Sequence, residues 1–155
     1  MRFLRRSVLV ALILSHSIAY GYPMSQQAHG SFDVTMTPSG KPDERDGSAL
    51  GAMTLAKVFH GDLDGTSAGS MLTASSTATP GSAAYVAVER FEGTLGGRKG
   101  AFALVHRGVM SAAGRDLSIT IVPDSGSGDL KGISGTLTID IRDGKHFYDL
   151  SYALP

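Results

Sequence analysis

The sequence predicts an all-β protein, a single antiparallel β-barrel of about eight strands. Apolar and polar residues alternate in a series of segments that are each the length of a strand, and no stretch has a helical period. The connections are short and rich in Gly, Pro, Asp and Ser, so they leave no room for helical crossovers and favour an antiparallel meander. Closure into a barrel removes the edges that such a sheet would otherwise expose.

The first 21 residues predict a secretion signal, which is set apart from the fold. Three arginines lie within residues 1–6, an apolar run follows at 8–13, and Ala19-Tyr20-Gly21 forms a small-x-small cleavage motif. We expect cleavage between Gly21 and Tyr22 and export to the periplasm or the medium. Alternatively, translation starts at Met24 and the protein stays in the cytoplasm.

The composition of the remaining chain excludes several classes of partner and chemistry. Removal of the signal takes away three arginines and no acid, which leaves 11 Lys+Arg against 14 Asp+Glu and a net charge of −3. A weakly acidic chain without basic runs has no electrostatic reason to bind nucleic acid. No apolar segment long enough for a membrane span remains after cleavage. The chain lacks Cys and Asn, so it offers neither a thiol nucleophile nor a disulfide nor an asparagine amide for catalysis.

The predicted organisation is a flexible tail at 22–28 and one barrel domain at 29–155, with a loop at 37–49. The alternating segments that predict its strands are GSFDVTM (30–36), MTLAKVFHGDL (53–63), AYVAVERF (84–91), GAFALVHRGVM (100–110), DLSITIV (116–122), GTLTIDI (135–141) and HFYDLSYAL (146–154).

Turn chemistry connects these strands. Asp143-Gly144 predicts a two-residue hairpin of the primed type, and the glycines in residues 95–100 predict another hairpin. In VPDSGSGDLKGISGTLTI, residues 122–139, we expect a turn followed by a strand that bends at Gly132 and Gly135. Segments 84–88 and 101–105 are apolar or small on both faces, which predicts burial on both sides, as when a barrel packs against a loop or a second subunit.

Several segments resemble ligand-binding or catalytic motifs but lack the neighbouring residues or structural elements that those motifs require. The glycines of residues 122–139 lie between two strands and lack the Lys-Ser/Thr pair of a phosphate loop, and Asp124 and Asp129 are too few carboxylates for calcium. Residues 65–69, Gly-Thr-Ser-Ala-Gly, match the nucleophile-elbow pattern, but no strand-to-helix turn surrounds them. The histidines lie singly on different strands, so no metal site and no cofactor is implied.

Three sets of residues, each on one face of a predicted strand, nominate a small-molecule site. Glu89 and Arg90 face opposite ways, so one of the two charges points into the barrel. If the faces converge, they form an apolar pocket with a few polar groups, which is the usual composition of a ligand site. Alternatively, Glu89 lies at a strand end in water and the aromatic residues are simply core. The faces are Tyr85, Ala87 and Glu89; Phe102, Leu104 and His106; and His146, Tyr148, Leu150 and Tyr152.

A resemblance to a known family rests on the segments GSFDVTMTP, GSAAYVAVERFEGTLGGRKGAF, IVPDSGSGDLKGISGTLTI and DGKHFYDLSYAL, together with residues 51–72. From about residue 30 to 154 the chain resembles a bacterial family of short proteins of unknown function, placed among the allene-oxide-cyclase-like barrels. The resemblance implies an eight-stranded antiparallel barrel of calycin type with a central cavity, and no established activity. The plant cyclase uses a glutamate and a water held partly by an asparagine. This chain has no Asn, and Glu89 lies on a middle strand, so neither catalytic position carries over.

Three functions remain open. The first is a barrel that binds a small apolar or amphipathic molecule, with Glu89 or His106 as its polar contact. The second is an isomerase or cyclase in which Glu89 or His106 moves a proton, and a raised pKa of Glu89 would favour it. The third is a solid barrel that serves as a module of a homo-oligomer. The expected walls of the ligand site are Tyr85, Phe102, Leu104, Tyr148 and Tyr152.

Overall fold

The computed structural model describes residues 24–155, so the predicted signal segment and its cleavage site lie outside the described residues. The strands in chain order are β1 (Gln26–Pro38), β2 (Asp43–Arg45), β3 (Ser48–Gly61), β4 (Leu63–Ser76), β5 (Ala83–Leu95), β6 (Arg98–Ser111), β7 (Gly114–Ile121), β8 (Ser127–Gly128), β9 (Ser134–Arg142) and β10 (Lys145–Ala153). Residues 24–155 contain no helix, and therefore none that is long and apolar enough to span a membrane.

The strands form one closed antiparallel barrel, as the alternation predicted. The sheet order is β1-β10-β9-β7-β6-β5-β4-β3-β2, and β1 also pairs with β3, from Gly30 opposite Gly61 to Pro38 opposite Met53. This second pairing of β1 closes the ring. The ring has eight members, because the short β2 pairs only with the start of β3, beyond the end of β1, and the two-residue β8 pairs with β6 outside the main path.

Two boundaries differ from the prediction. β1 begins at Gln26, before the predicted domain start at residue 29 and the predicted strand start at residue 30, because Ala28 is buried and pairs with Leu150 of β10. The predicted loop at 37–49 contains the end of β1, all of β2 and the start of β3. A hairpin forms there because Asp46 and Gly47 take φ values of 47° and 84°, the conformation of a primed turn.

The predicted Asp143-Gly144 hairpin is confirmed. The two residues have φ values of 51° and 76° and connect β9 to β10 without a longer loop. Gly96 and Gly97, with φ values of 55° and 82°, form the same kind of turn between β5 and β6. Each turn fixes the register of its two strands, and therefore which side chains face the barrel interior.

One half of the barrel interior is filled by side chains. We call it the packed half and define it by Phe59, Phe91, Phe102 and Tyr148, whose rings contact one another in a chain with centroids 5.1 to 5.6 Å apart. The other fully buried side chains of the core cluster are Leu63, Leu95, Leu104, Leu130, Ile133 and Leu150.

The segment at 122–133 contributes to this core instead of forming a ligand loop. It leaves β7 and returns through β8, and it inserts Leu130 and Ile133 into the core cluster. Gly132 lies in the turn before β9 with a φ of 80°, so it serves the turn and not a bend in the strand. The detour separates β7 from β9, which pair only at Thr120 opposite Thr136.

The outer face of the sheet carries exposed apolar residues. Val86 and Val88 of β5 and Val105 of β6 are 53%, 57% and 42% exposed. The chain itself therefore does not supply the two-sided burial that segments 84–88 and 101–105 predicted. A homo-oligomer stays a prediction.

Candidate functional site

The half of the barrel opposite the packed half encloses a cavity of about 690 Å³, and we call this half the cavity half. Its walls are mainly apolar, and four of the six methionines of the chain line it. Methionine side chains are flexible and polarizable, so such walls adapt to apolar bodies of different shapes. The principal apolar wall residues are Phe32, Val34, Met36, Met53, Leu55, Met71, Ala87, Met110, Leu117, Ile139 and Ile141.

The cavity reaches the seam where β7 and β9 diverge. Thr138 on β9 is exposed, and it lines the cavity together with Arg115, Asp116 and Leu117 of β7. These strands do not pair here, because their one paired position is at Thr120 and Thr136. The backbone pairing between neighbouring strands is therefore interrupted at this part of the cavity wall.

A cluster of four buried polar side chains lies at the junction of the two halves. The Glu89 carboxylate is at its centre. Its Oε1 accepts hydrogen bonds from Lys57 Nζ at 2.7 Å and from His106 Nε2 at 3.0 Å. Its Oε2 accepts one from Ser67 Oγ at 2.9 Å. Lys57 and His106 line the cavity, whereas the Glu89 side chain lies behind them and is 0% exposed.

The alternation of four adjacent strands produces this cluster. Lys57, Ser67, Glu89 and His106 occupy inward positions of β3, β4, β5 and β6, and each strand contributes one of them. Gly69 faces inward directly opposite Glu89, where a Cβ would overlap the Glu89 backbone and side chain. The lack of a side chain at Gly69 therefore makes room for the glutamate.

Electrostatics keep Glu89 ionised. Burial favours the neutral form, but the hydrogen bonds and positive charges of His106 and Lys57 outweigh it and lower the pKa of Glu89 to about 2. This direction is opposite to the raised pKa that would favour Glu89 as the proton-moving residue of an enzyme. In the cavity wall, burial and the nearby Glu89 charge raise the pKa of Tyr85, so its hydroxyl is neutral near pH 7.

The ionised carboxylate also fixes the orientation of the His106 ring. A carboxylate only accepts hydrogen bonds, so the Nε2 of His106 is the protonated nitrogen and donates to Glu89. The Nδ1 atom is then the ring nitrogen left for a molecule in the cavity. It accepts a hydrogen bond when the ring is neutral and donates one when the ring is charged.

Three of the predicted site residues lie at the cavity or directly beneath it. Tyr85 and His106 line the cavity, and Glu89 contacts the polar residues of its floor. Tyr85 packs against Gly108, its cross-strand neighbour, where a Cβ would overlap the ring. Arg90, the other charge considered, is exposed on the outer face, and the strand continues past it to Leu95. The alternative that Glu89 ends a strand in water is therefore wrong.

The other four predicted wall residues belong to the packed half and do not line the cavity. Phe102 and Leu104 share the inward face of His106, but they lie nearer the start of β6, within the core cluster. The Tyr148 hydroxyl accepts a hydrogen bond from the Leu63 amide at 2.7 Å, and Tyr152 donates one to Gln26. Sharing an inward face is not sufficient for lining the cavity, because each face extends through both halves of the barrel.

Two members of the polar cluster were not among the predicted site residues. Lys57 is a charged residue between Leu55 and Phe59, on a face that is otherwise apolar, and this interruption of the alternation is the signal that could have identified it. Ser67 was set aside with the nucleophile-elbow pattern. It lies on a strand, and its hydroxyl donates a hydrogen bond to the Glu89 carboxylate. This contact supports Glu89 and does not activate the serine as a nucleophile. Within residues 24–155, no group of three or more His, Cys, Asp or Glu side chains is arranged to hold a metal ion.

Comparison with known proteins assigns the family. A family model described as a protein of unknown function, DUF3224, matches residues 28–152. The crystal structure of a DUF3224 protein of unknown function from Shewanella oneidensis MR-1 is similar at a TM-score of 0.79 and 41% identity, covering 85% of this chain and 99% of that one. No protein with a curated description matches. On the extent of the family match and the agreement in fold, this chain belongs to the DUF3224 family.

Proposed function

We propose that this protein binds a small amphipathic molecule in the barrel cavity. The apolar part of the ligand lies against the methionine and aliphatic walls, and its polar end contacts Lys57 and His106. The observation that carries the proposal is the combination of a largely apolar cavity of about 690 Å³ with two polar groups at its floor. Ligand sites in proteins have this size and composition.

The first experiment is native mass spectrometry of the full chain purified without detergent. We expect a small molecule retained in a one-to-one ratio with the barrel, and the same spectrum reports the number of subunits. The control is the same preparation after extraction with an organic solvent and refolding, which should lose the added mass. A protein that carries nothing and takes up none of a set of amphipathic probes would contradict the proposal.

A matched pair of variants tests the location of the ligand. Ala87 lies on the cavity wall, and Ala87→Phe places a ring in the space assigned to the ligand. Ala68 is exposed on β4, so Ala68→Phe adds the same ring outside the barrel. We expect the first variant to lower the affinity for a bound probe at least about tenfold and the second to leave it unchanged. Equal effects of the two substitutions would place the ligand elsewhere.

A second candidate is an isomerase or cyclase that acts on a hydrophobic substrate in the same cavity. It is favoured by one observation, the hydrogen bond by which Glu89 orients His106 and leaves Nδ1 for the cavity. In this function His106 is the catalytic base, and Glu89 is a positioning residue that stabilises the imidazolium formed when the proton is taken up. Lys57 can stabilise negative charge that develops on a substrate oxygen.

The enzyme and the binding protein are distinguished by whether the wild-type chain converts the molecule, and an enzyme also by its response to His106→Gln. The glutamine amide retains a donor for Glu89 but cannot take up a proton. For an enzyme, kcat falls by about 100-fold or more while KM changes little. For a binding protein, the extracted ligand is recovered chemically unchanged after incubation with the wild-type chain.

A further inference from the structure

We propose that the ligand is a carboxylic acid with an apolar body, bound as its carboxylate between the ammonium of Lys57 and a protonated His106. This inference rests on the proposed function and adds the chemical class of the head group. It also couples binding to the uptake of one proton.

Lys57 has hydrogen-bond donors that its contact with Glu89 does not use. An ammonium has three N–H groups, and the hydrogen bond from Lys57 goes to Glu89. The Nζ atom also lies 4.9 Å from the ring centre of Phe32 and 5.8 Å from that of Phe59, which are cation–π contacts. The ammonium is almost completely buried and lines the cavity. An oxygen that carries negative charge is therefore the ligand atom that its remaining donors favour.

The charge balance of the cavity floor favours the uptake of a proton together with the carboxylate. Lys57 and Glu89 form an ion pair whose charges cancel, so with a neutral His106 ring the floor has no net charge. A bound carboxylate then adds one negative charge to a largely apolar cavity, which is costly unless the charge is paired. A proton taken from solvent by His106 Nδ1 restores neutrality and supplies a second donor. Two cations then lie between the carboxylate of the ligand and that of Glu89.

The other charged groups of the cavity lie apart from this arrangement or support it. Asp116 forms an ion pair with Arg107 on the outer side at 2.7 Å, so its charge is compensated. Arg115 adds positive charge to the β7 side of the cavity lining, which attracts an anion. The titratable and charged groups that face the cavity or its floor are Lys57, Tyr85, Glu89, His106, Arg115, Asp116 and His146.

Isothermal titration calorimetry with decanoate and decan-1-ol tests the proposal on the full chain after removal of any bound molecule. The two probes share their apolar body and differ in the head group. We expect decanoate to bind at least about tenfold more tightly than decan-1-ol near pH 7. The titrations are repeated in two buffers with different ionisation enthalpies, and the difference in heat gives the number of protons taken up.

The sign of the pH dependence follows from the same balance. The complex holds one proton more than the free protein and the free carboxylate, so raising the pH opposes binding. Where His106 is neutral in the free protein, the Kd for decanoate rises by up to about tenfold per pH unit. The Kd for decan-1-ol stays constant, because an alcohol adds no charge to the cavity.

A pair of histidine variants assigns the proton to one residue. His106→Gln should abolish proton uptake and flatten the pH dependence of decanoate binding. His60→Gln is the control, because His60 lies on the outer face of β3 beside Asp33 and should behave as the wild type. Since the wild-type heats alone measure proton uptake, the test does not depend on the folding of a variant.

The outcomes separate this inference from the proposed function. Equal affinities for the two probes, or no proton uptake at any pH between about 6 and about 9, would overturn the carboxylate proposal and leave an amphipathic-binding barrel intact. Proton uptake that persists in His106→Gln would also overturn it. If neither probe binds, both the inference and the proposed function are contradicted.

Discussion

Glu89 is the residue on which the polar cluster depends. It accepts hydrogen bonds from three side chains on three other strands, and no buried side-chain polar atom among residues 24–155 lacks a partner. A buried charge is tolerated only when it is paired in this way. Removing one member of the cluster therefore lowers the stability of the fold by more than its own hydrogen bonds contribute, because the remaining members stay buried without a partner.

Replacement of Glu89 by glutamine should be strongly destabilising at neutral pH. It leaves the ammonium of Lys57 buried without a counter-ion, and breaking a buried ion pair in this way costs about 3–5 kcal/mol of unfolding free energy. Urea unfolding followed by circular dichroism measures the loss. Glu92→Gln is the control, because Glu92 lies on the same strand but is exposed, and we expect a change of less than about 0.5 kcal/mol. Equal losses in the two variants would show that Glu89 is not essential to the cluster.

The stability of the wild-type protein should also depend on pH through Glu89. The carboxyl has a pKa of about 2 in the folded chain and an ordinary value of 4.5. Because the folded pKa is the lower one, its stabilisation is complete above about pH 5 and is lost as the pH falls toward 2. This shift corresponds to on the order of 3 kcal/mol. The difference in unfolding free energy between wild type and Glu89→Gln should shrink over this range, and a constant difference would contradict the assignment.

At the level of the strands, glycines determine where two backbones approach closely. Gly135 of β9 lies opposite Tyr152 of β10, and a Cβ at Gly135 would overlap the carbonyl oxygen of Ser151. That oxygen belongs to the backbone and cannot rotate away. The prediction that Gly135 lets the barrel curve therefore has a steric basis, whereas Gly132 serves the preceding turn.

Substitution of Gly135 by alanine should separate β9 from β10. We expect a loss of about 3 kcal/mol or more in unfolding free energy, or no cooperative unfolding at all, because the added methyl group forces the two backbones apart. Gly51→Ala on β3 is the matched control. Its Cβ would meet only the Thr73 hydroxyl, at 2.9 Å, and that side chain can rotate, so we expect a loss within about 1 kcal/mol. Thermal unfolding of the two variants decides the matter, and a Gly135→Ala protein as stable as the wild type would refute the steric argument.

On the scale of the whole molecule, the fold could be predicted from the sequence more completely than the site. Each strand buries one face, so alternation alone identified seven of the eight strands of the ring, all except β4, and required that either Glu89 or Arg90 face inward. The division of the interior into two halves is a long-range property. It depends on the β1–β3 closure and on Leu130 and Ile133 entering the core from a distant segment. For this reason Phe102 and Tyr148 were expected at the cavity, whereas the structure places them in the packed half. The ionised state of Glu89 depends on Lys57 and His106, which lie on two other strands, and local spacing does not encode their approach.

The two halves of the barrel should therefore contribute differently to stability and to binding, and two leucines allow a matched test. Leu104 lies in the packed half and is 1% exposed, whereas Leu55 lines the cavity and is 7% exposed. Leu104→Ala creates a void in close-packed surroundings, and we expect it to cost about 3–5 kcal/mol of unfolding free energy. Leu55→Ala only enlarges an existing cavity that opens to solvent, so the loss should be nearer about 1–2 kcal/mol.

The binding of decanoate to the same two variants should follow the reverse order. Leu104→Ala leaves the cavity walls in place, so its affinity should match that of the wild type under conditions where the variant is folded. Leu55→Ala removes part of a wall that the apolar chain contacts, and we expect a loss of about tenfold, the equivalent of one or two buried methylene groups. Urea unfolding and calorimetry on each variant give both quantities. Parallel changes in stability and affinity would mean that the barrel interior acts as a single core, because only a divided interior lets one leucine determine stability and the other determine binding.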